Sequence, residues 1–154
     1  MGSSAVAFPY PEDVDAVLDG LEAFVRTEVI DRYQAHAHLL DDVRLRYDAA
    51  GVYVPEVVDL IRAIRTASAR AGYFNLAVPE AMGGGGMGHL AYYAAWEHVY
   101  HLCGGTNWLA QFAISHWAFG PSAVLERVTE RAKDELARRR CLSLLKPRKS
   151  APSP

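Results

Sequence analysis

The chain has 154 residues, 51% of them hydrophobic and 22% charged, which is enough for one domain with a sizeable core and an ordinary globular balance. Its formal net charge is −2, but Arg138, Arg139, Arg140, Lys146, Arg148 and Lys149 form a basic end with no acid among them; removing these six leaves −8 for residues 1–137. An acidic body argues against nucleic-acid binding by the folded part. No run approaches the length of a membrane span, and the first residues lack the basic-then-apolar pattern of a secretory leader. Met1-Gly2 followed by two serines reads as a plain flexible terminus rather than an acylation signal. Cys103 and Cys141 match no disulfide or metal spacing, so a reducing, cytoplasmic location is the expectation.

Residues 1–10 read as disordered. Pro11 with Glu12 and Asp13 makes a helix start, with acids at the positive end of the dipole. Val14, Val17, Leu18, Leu21, Phe24, Val25 and Val29 recur at three- and four-residue steps, which predicts one long helix reaching His38. Gly20 weakens it by up to about 1 kcal/mol. Leu39 to Tyr47 is read as a short second helix, broken at Gly51, and Pro55 opens the next. Val57, Val58, Ile61, Ile64, Ala67 and Ala71 are expected on its buried face, Arg62, Arg65 and Arg70 on solvated ones, and Gly72 just past its end. Phe74 to Val78 is the one short extended candidate. The run Gly83 to Gly86 then predicts a tight, shaped crossover, because four consecutive glycines suit unusual backbone angles and close approaches rather than regular structure.

A helix from His89 to Leu102 follows. Its expected face of Leu90, Ala91, Ala94, Ala95, His98 and Val99 is rich in small residues, which lets other helices approach closely and makes this helix central. Thr106 or Asn107 is expected to cap a further helix through Trp117, and residues 122–139 read as a terminal helical piece broken near Thr129. The period is 3.6 throughout and no internal repeat is found. The fold class is all-α, a bundle of five or six helices over residues 11–138, with residues 139–154 a disordered basic tail containing Pro and Ser.

Several patterns invite chemistry and do not sustain it. Glu97-His98-Val99-Tyr100-His101 places pairs of potential ligands one turn apart, but it is neither the zinc-protease His-Glu-x-x-His nor the Glu-x-x-His of di-iron bundles. No metal site is assigned. The glycine run lacks the Gly-Lys-Ser/Thr ending of a phosphate loop. His36 and His38 flank Ala37 and are expected to point apart at the surface, and Ser115-His116 are helix neighbours that also point apart. The segment from Asn107 to Phe119 is more informative. It is aromatic and apolar, with Asn107, Gln111 and Ser115 at i, i+4 and i+8, a pattern open to two readings: a solvated face, or the wall of an apolar pocket with a few polar groups.

The stretch from Ala71 to Tyr100 is similar to the N-terminal helical domain of the acyl-CoA dehydrogenases, FAD enzymes that desaturate acyl thioesters. In that family a helix ends in Ala-Gly, and a short apolar segment, Pro-Glu, Gly-Gly-x-Gly and a helix with an aromatic-Glu pair follow. Here these are Ala71-Gly72, Phe74–Val78, Pro79-Glu80, Gly83–Gly86 and Trp96-Glu97. The similarity extends from Leu21 to Arg138. The first helix ends in Phe24, Val25, Glu28 and Val29, as the family's does, and Thr129-Glu130-Arg131-Ala132-Lys133 resembles its Gly-Thr-Glu-Glu-Gln-Lys turn, with Val128 in place of the glycine.

The resemblance implies an oxidoreductase role on the CH–CH bond of an acyl-CoA thioester, with FAD as cofactor. It also implies that Trp108, Gln111, Phe112 and Ser115 belong to the acyl-pocket wall. The family's Thr/Ser-Glu-Pro motif, its flavin-holding β-domain and its glutamate base have no counterpart among these residues. The chain is therefore expected to be a truncated fragment, inactive and without FAD when alone. A reading-frame change or gene truncation would account for the basic ending. The alternative is a stand-alone helical module that pairs with itself or with a full-length relative, with no nucleic acid and no membrane as partner.

Overall fold

The computed structural model describes residues 9–80, 83–114 and 129–132. Ser115, the expected helix through Trp117, most of the terminal piece, the first eight residues and the basic tail lie outside the described residues. What is described is helical, with no β-strand. The expected all-α class holds.

Helix α1 (Glu12–Phe24) opens on Pro11, whose carbonyl accepts from the Val14 and Asp15 amides, and carries Glu12, Asp13 and Asp15 in its first turn. The predicted single helix does not stay α-helical. Val25–Ile30 form a π turn, α2 (Asp31–Ala35) resumes, and His36 leaves the helical angles before α3 (Ala37–Leu40). The Thr27 hydroxyl donates to the Ala23 carbonyl at 3.0 Å, competing for the ladder at the start of the widened turn. Val25 and Val29 nevertheless remain buried, packed towards the fifth helix. The kink at His36 also brings the His36 and His38 rings to a centroid distance of 6.5 Å, against the expectation that they point apart. The second predicted helix is only α3 followed by a 3-10 turn at Val43–Arg46, capped by the Asp42 carboxylate on the Arg44 amide.

Helix α4 (Pro55–Ala71) begins at proline and ends where Gly72 takes φ 89°, as its sequence requires. Its buried face is Val57, Leu60, Ile64 and Ser68. Val58 is half-buried and Ala71 is exposed, so the face is turned from the predicted one. The turn is fixed at Ser68, which is fully buried and whose hydroxyl donates to the Ala113 carbonyl.

Helix α5 (Gly88–Cys103) packs against α1, the π turn and the 3-10 turn Trp108–Phe112. Ala91, Tyr92, Ala94, Ala95 and Val99 are buried, and the alanines permit the close approach. Leu90 is instead 54% exposed and His98 half-buried, while Tyr92 is buried. The core joins Leu21, Val25, Val29, Leu40, Val57, Ile64, Val99, Leu109 and Ile114.

Candidate functional site

The site is built by the crossover between α4 and α5. After Gly72 the Tyr73 and Phe74 amides both bond the Ser68 carbonyl, which turns the chain back along α4. Phe74 to Val78 then form successive turns rather than a strand: the Leu76 amide bonds Tyr73 and the Val78 amide bonds Asn75. Phe74, Leu76 and Val78 are driven inward by this winding and are all buried. The glycines fold back over the same segment. The Gly85, Gly86 and Met87 amides donate to the carbonyls of Asn75, Val78 and Leu76 at 3.0, 2.8 and 3.1 Å. Backbone therefore lies on backbone, and Gly84 and Gly85 have no room for a side chain: a Cβ on Gly85 would sit 2.9 Å from the Leu76 oxygen. Gly20 has a matching reason. A Cβ there would lie 2.5 Å from the Tyr73 hydroxyl, so the gap in α1 receives the first residue of the crossover.

This winding brings four elements around one pocket of about 260 Å³. Arg65 comes from α4, Phe74 from the crossover, and Trp96 and Tyr100 from α5. Gln111, Phe112 and Ile114 come from the 3-10 turn and the residues just after it. Trp96 and Tyr100, one helical turn apart, stack with ring centroids 5.5 Å apart. Arg65 lies over the Phe112 ring, 5.1 Å from its centroid. It is half-buried rather than solvated as expected, and that burial lowers its pKa from the ordinary arginine value.

The four residues assigned from sequence are placed differently from one another. Gln111 and Phe112 line the pocket. Trp108 stands behind Phe112, edge to face at 5.0 Å, and its other neighbours are Tyr53 and the Arg46 guanidinium, 4.7 Å above its ring. Ser115 lies outside the described residues. Asn107 is buried and caps the 3-10 turn on the Leu109 amide, whereas Gln111 is exposed and donates to the Trp108 carbonyl. The 3-10 winding thus breaks the stripe that an α-helical period would draw.

Sequence reasoning missed Arg65, Phe74, Tyr100 and Ile114 as pocket residues and named Trp96 only as half of an aromatic-Glu pair. The one available signal was the aromatic pair Trp96 and Tyr100 at i, i+4. Arg46 was also unremarked. It is buried, and its guanidinium donates to the Leu40 carbonyl at 2.8 Å as well as covering Trp108.

His98 Nε2 lies 3.7 Å from a Glu22 oxygen, and Glu97 and His101 are exposed. Among the described residues no three His, Cys, Asp or Glu side chains gather as a metal site. A second cleft, about 440 Å³ and open, holds Arg32, Arg62 and Arg70, the first two paired with Glu28 and Asp59. No described helix is long and apolar enough to cross a membrane.

An all-α domain whose two main helices are joined by a Pro-Glu-polyglycine corner is the arrangement expected of an acyl-CoA dehydrogenase N-terminal domain. The chain matches the acyl-CoA dehydrogenase N-terminal domain over residues 11–139, and it belongs to that family. Comparison with curated proteins and with solved structures gives no match.

Proposed function

We propose that this chain supplies one wall of the acyl pocket in FAD-dependent oxidation of an acyl-CoA thioester. One observation carries the reading. In a chain of this family, the crossover folds so that Phe74, Trp96, Gln111 and Phe112 surround a single apolar pocket. Gln111 and Phe112 would touch the acyl chain, and Trp108 would hold Phe112 in place from behind. Ser115 follows the same segment and is proposed with them.

The described residues do not fit the cofactor by themselves. At about 260 Å³ their pocket is smaller than the roughly 300–1,000 Å³ that encloses a whole drug-sized molecule, space for a chain segment but not for a flavin dinucleotide. No carboxylate lines it, so no base among these side chains stands ready for the α-proton of a thioester. The flavin and the base therefore belong outside the described residues, whose own part is to bind the acyl group.

The test is to purify the chain, add FAD and octanoyl-CoA, and follow tryptophan fluorescence and the visible spectrum together. Acyl-dependent fluorescence change without bound flavin or turnover supports the proposal. A yellow chain that bleaches with octanoyl-CoA would overturn the division of labour, and absence of any acyl binding would overturn the pocket.

A second reading has its own observation. On α5, Leu90, Tyr93 and Tyr100 are 54%, 65% and 44% exposed at helical steps along one side. Such a row suits a helical interaction module that pairs with a second copy or a related subunit. Light scattering after size exclusion tests it: a dimer dissociated by Tyr93→Glu favours pairing, and a monomer at all concentrations rules it out.

A further inference from the structure

We propose that the pocket selects an acyl group that carries a carboxylate, which Arg65 receives. This deepens the acyl-pocket reading and rests on it. The walls are aromatic and aliphatic: Phe74, Trp96, Phe112 and Ile114. Among them stands one guanidinium, its carbon 5.1 Å from the centroid of the Phe112 ring. Four other arginines among the described residues are paired with an acid, and the buried Arg46 is met by the Leu40 carbonyl. Arg26 pairs with Glu22, Arg32 with Glu28, Arg44 with Asp42 and Arg62 with Asp59. Among the described residues no acid forms an ion pair with Arg65.

A half-buried cation without an anion is costly to keep, and its cost is recovered when a ligand brings the missing charge. The planar fork of a guanidinium matches a carboxylate at two points. The apolar walls require that the anion arrive on a hydrocarbon body. Gln111 lines the same pocket and is its other polar side chain, with its amide nitrogen donating to the Trp108 carbonyl. A plain hydrocarbon chain would leave Arg65 unmet, whereas a carboxylate-bearing chain satisfies both the charge and the walls.

Octanoate and octanamide separate these possibilities, since they share a chain and differ in charge. The full chain is titrated with each, and binding is read by tryptophan fluorescence. Octanoate should bind roughly ten- to hundredfold tighter than octanamide, the range expected for one charge-assisted hydrogen-bonded contact. The preference should shrink as salt rises, and Arg65→Gln should bring octanoate to the level of octanamide. The wild-type comparison and its salt dependence stand even where the variant folds poorly.

Equal binding of both probes would overturn the inference and leave the acyl pocket standing. Binding of neither would overturn both. Inorganic phosphate displacing octanoate at equal affinity would also overturn it, because charge alone would then suffice.

Discussion

Gly84 rests directly against Val78: a Cβ at position 84 would lie 2.1 Å from the Val78 carbonyl oxygen and 2.3 Å from its Cβ. These are backbone and branch-point atoms that cannot swing away, so Gly84→Ala must push the crossover apart. The expected loss is about 1–3 kcal/mol or more, the cost of overpacking, compounded by strain on the adjacent Gly86–Val78 hydrogen bond. Gly83→Ala is the control. It meets open space but has φ 80°, so only about 1–2 kcal/mol of backbone strain is expected. Urea unfolding of both variants should rank Gly84→Ala as the more damaging. The reverse order would mean that the glycines serve conformation rather than close approach.

Ser68 links α4 to the end of the last described turn through the Ala113 carbonyl. Ser68→Ala leaves that buried oxygen without its donor, a loss of about 1–3 kcal/mol. The midpoint of urea unfolding should fall with little change in slope. An unchanged midpoint would show that the carbonyl finds another donor.

Arg46 holds α3 to the 3-10 turn by donating to the Leu40 carbonyl while its guanidinium covers Trp108. Arg46→Gln removes both contacts, at about 1.5–3 kcal/mol for a hydrogen bond from a charged donor. Trp108 loses its cover, so the emission spectrum of the folded chain should shift along with the drop in stability. A stability loss with an unmoved spectrum would place the effect elsewhere.

Asp42 gives a pH signature. Its side-chain hydrogen bond to the Arg44 guanidinium, and then the Arg44 amide, hold its pKa down at about 2 from an ordinary 3.8. The folded value is depressed, so the contribution to stability is present above the unfolded value and is lost as pH falls through about 2. Arg44 is 89% exposed, which keeps the energetic effect small and leaves the titration itself as the readout. The Asp42 carboxyl resonance should titrate near the lower value in the native chain and move upward in Arg44→Ala. A native midpoint at the ordinary value would deny the pairing.

The parts of the fold legible in the sequence were those set by local chemistry. Pro55 and Gly72 bound α4 because one fixes a starting angle and the other permits a left-handed ending, and neither depends on distant contacts. The small-residue face of α5 was legible for the same reason. The π turn after Phe24 was not, because Val25 and Val29 satisfy an α-helical period equally well. The 3-10 turn at Trp108 was hidden by the same ambiguity, and with it went the supposed stripe of Asn107 and Gln111. Arg65 was misjudged because a charged residue on a helix is ordinarily solvated, and its cover comes from distant segments such as that of Phe112. Pocket membership is a tertiary property: Phe74 and Tyr100 bear no mark in the sequence that would join them.

The central claim is that this aromatic pocket holds an acyl chain, and Phe112→Ala tests it most directly. Removing that ring forfeits about 1.5–3 kcal/mol of apolar contact, so the Kd for octanoyl-CoA should rise roughly ten- to hundredfold in a variant that still folds. Saturable binding of octanoyl-CoA that Phe112→Ala leaves unchanged would contradict the account.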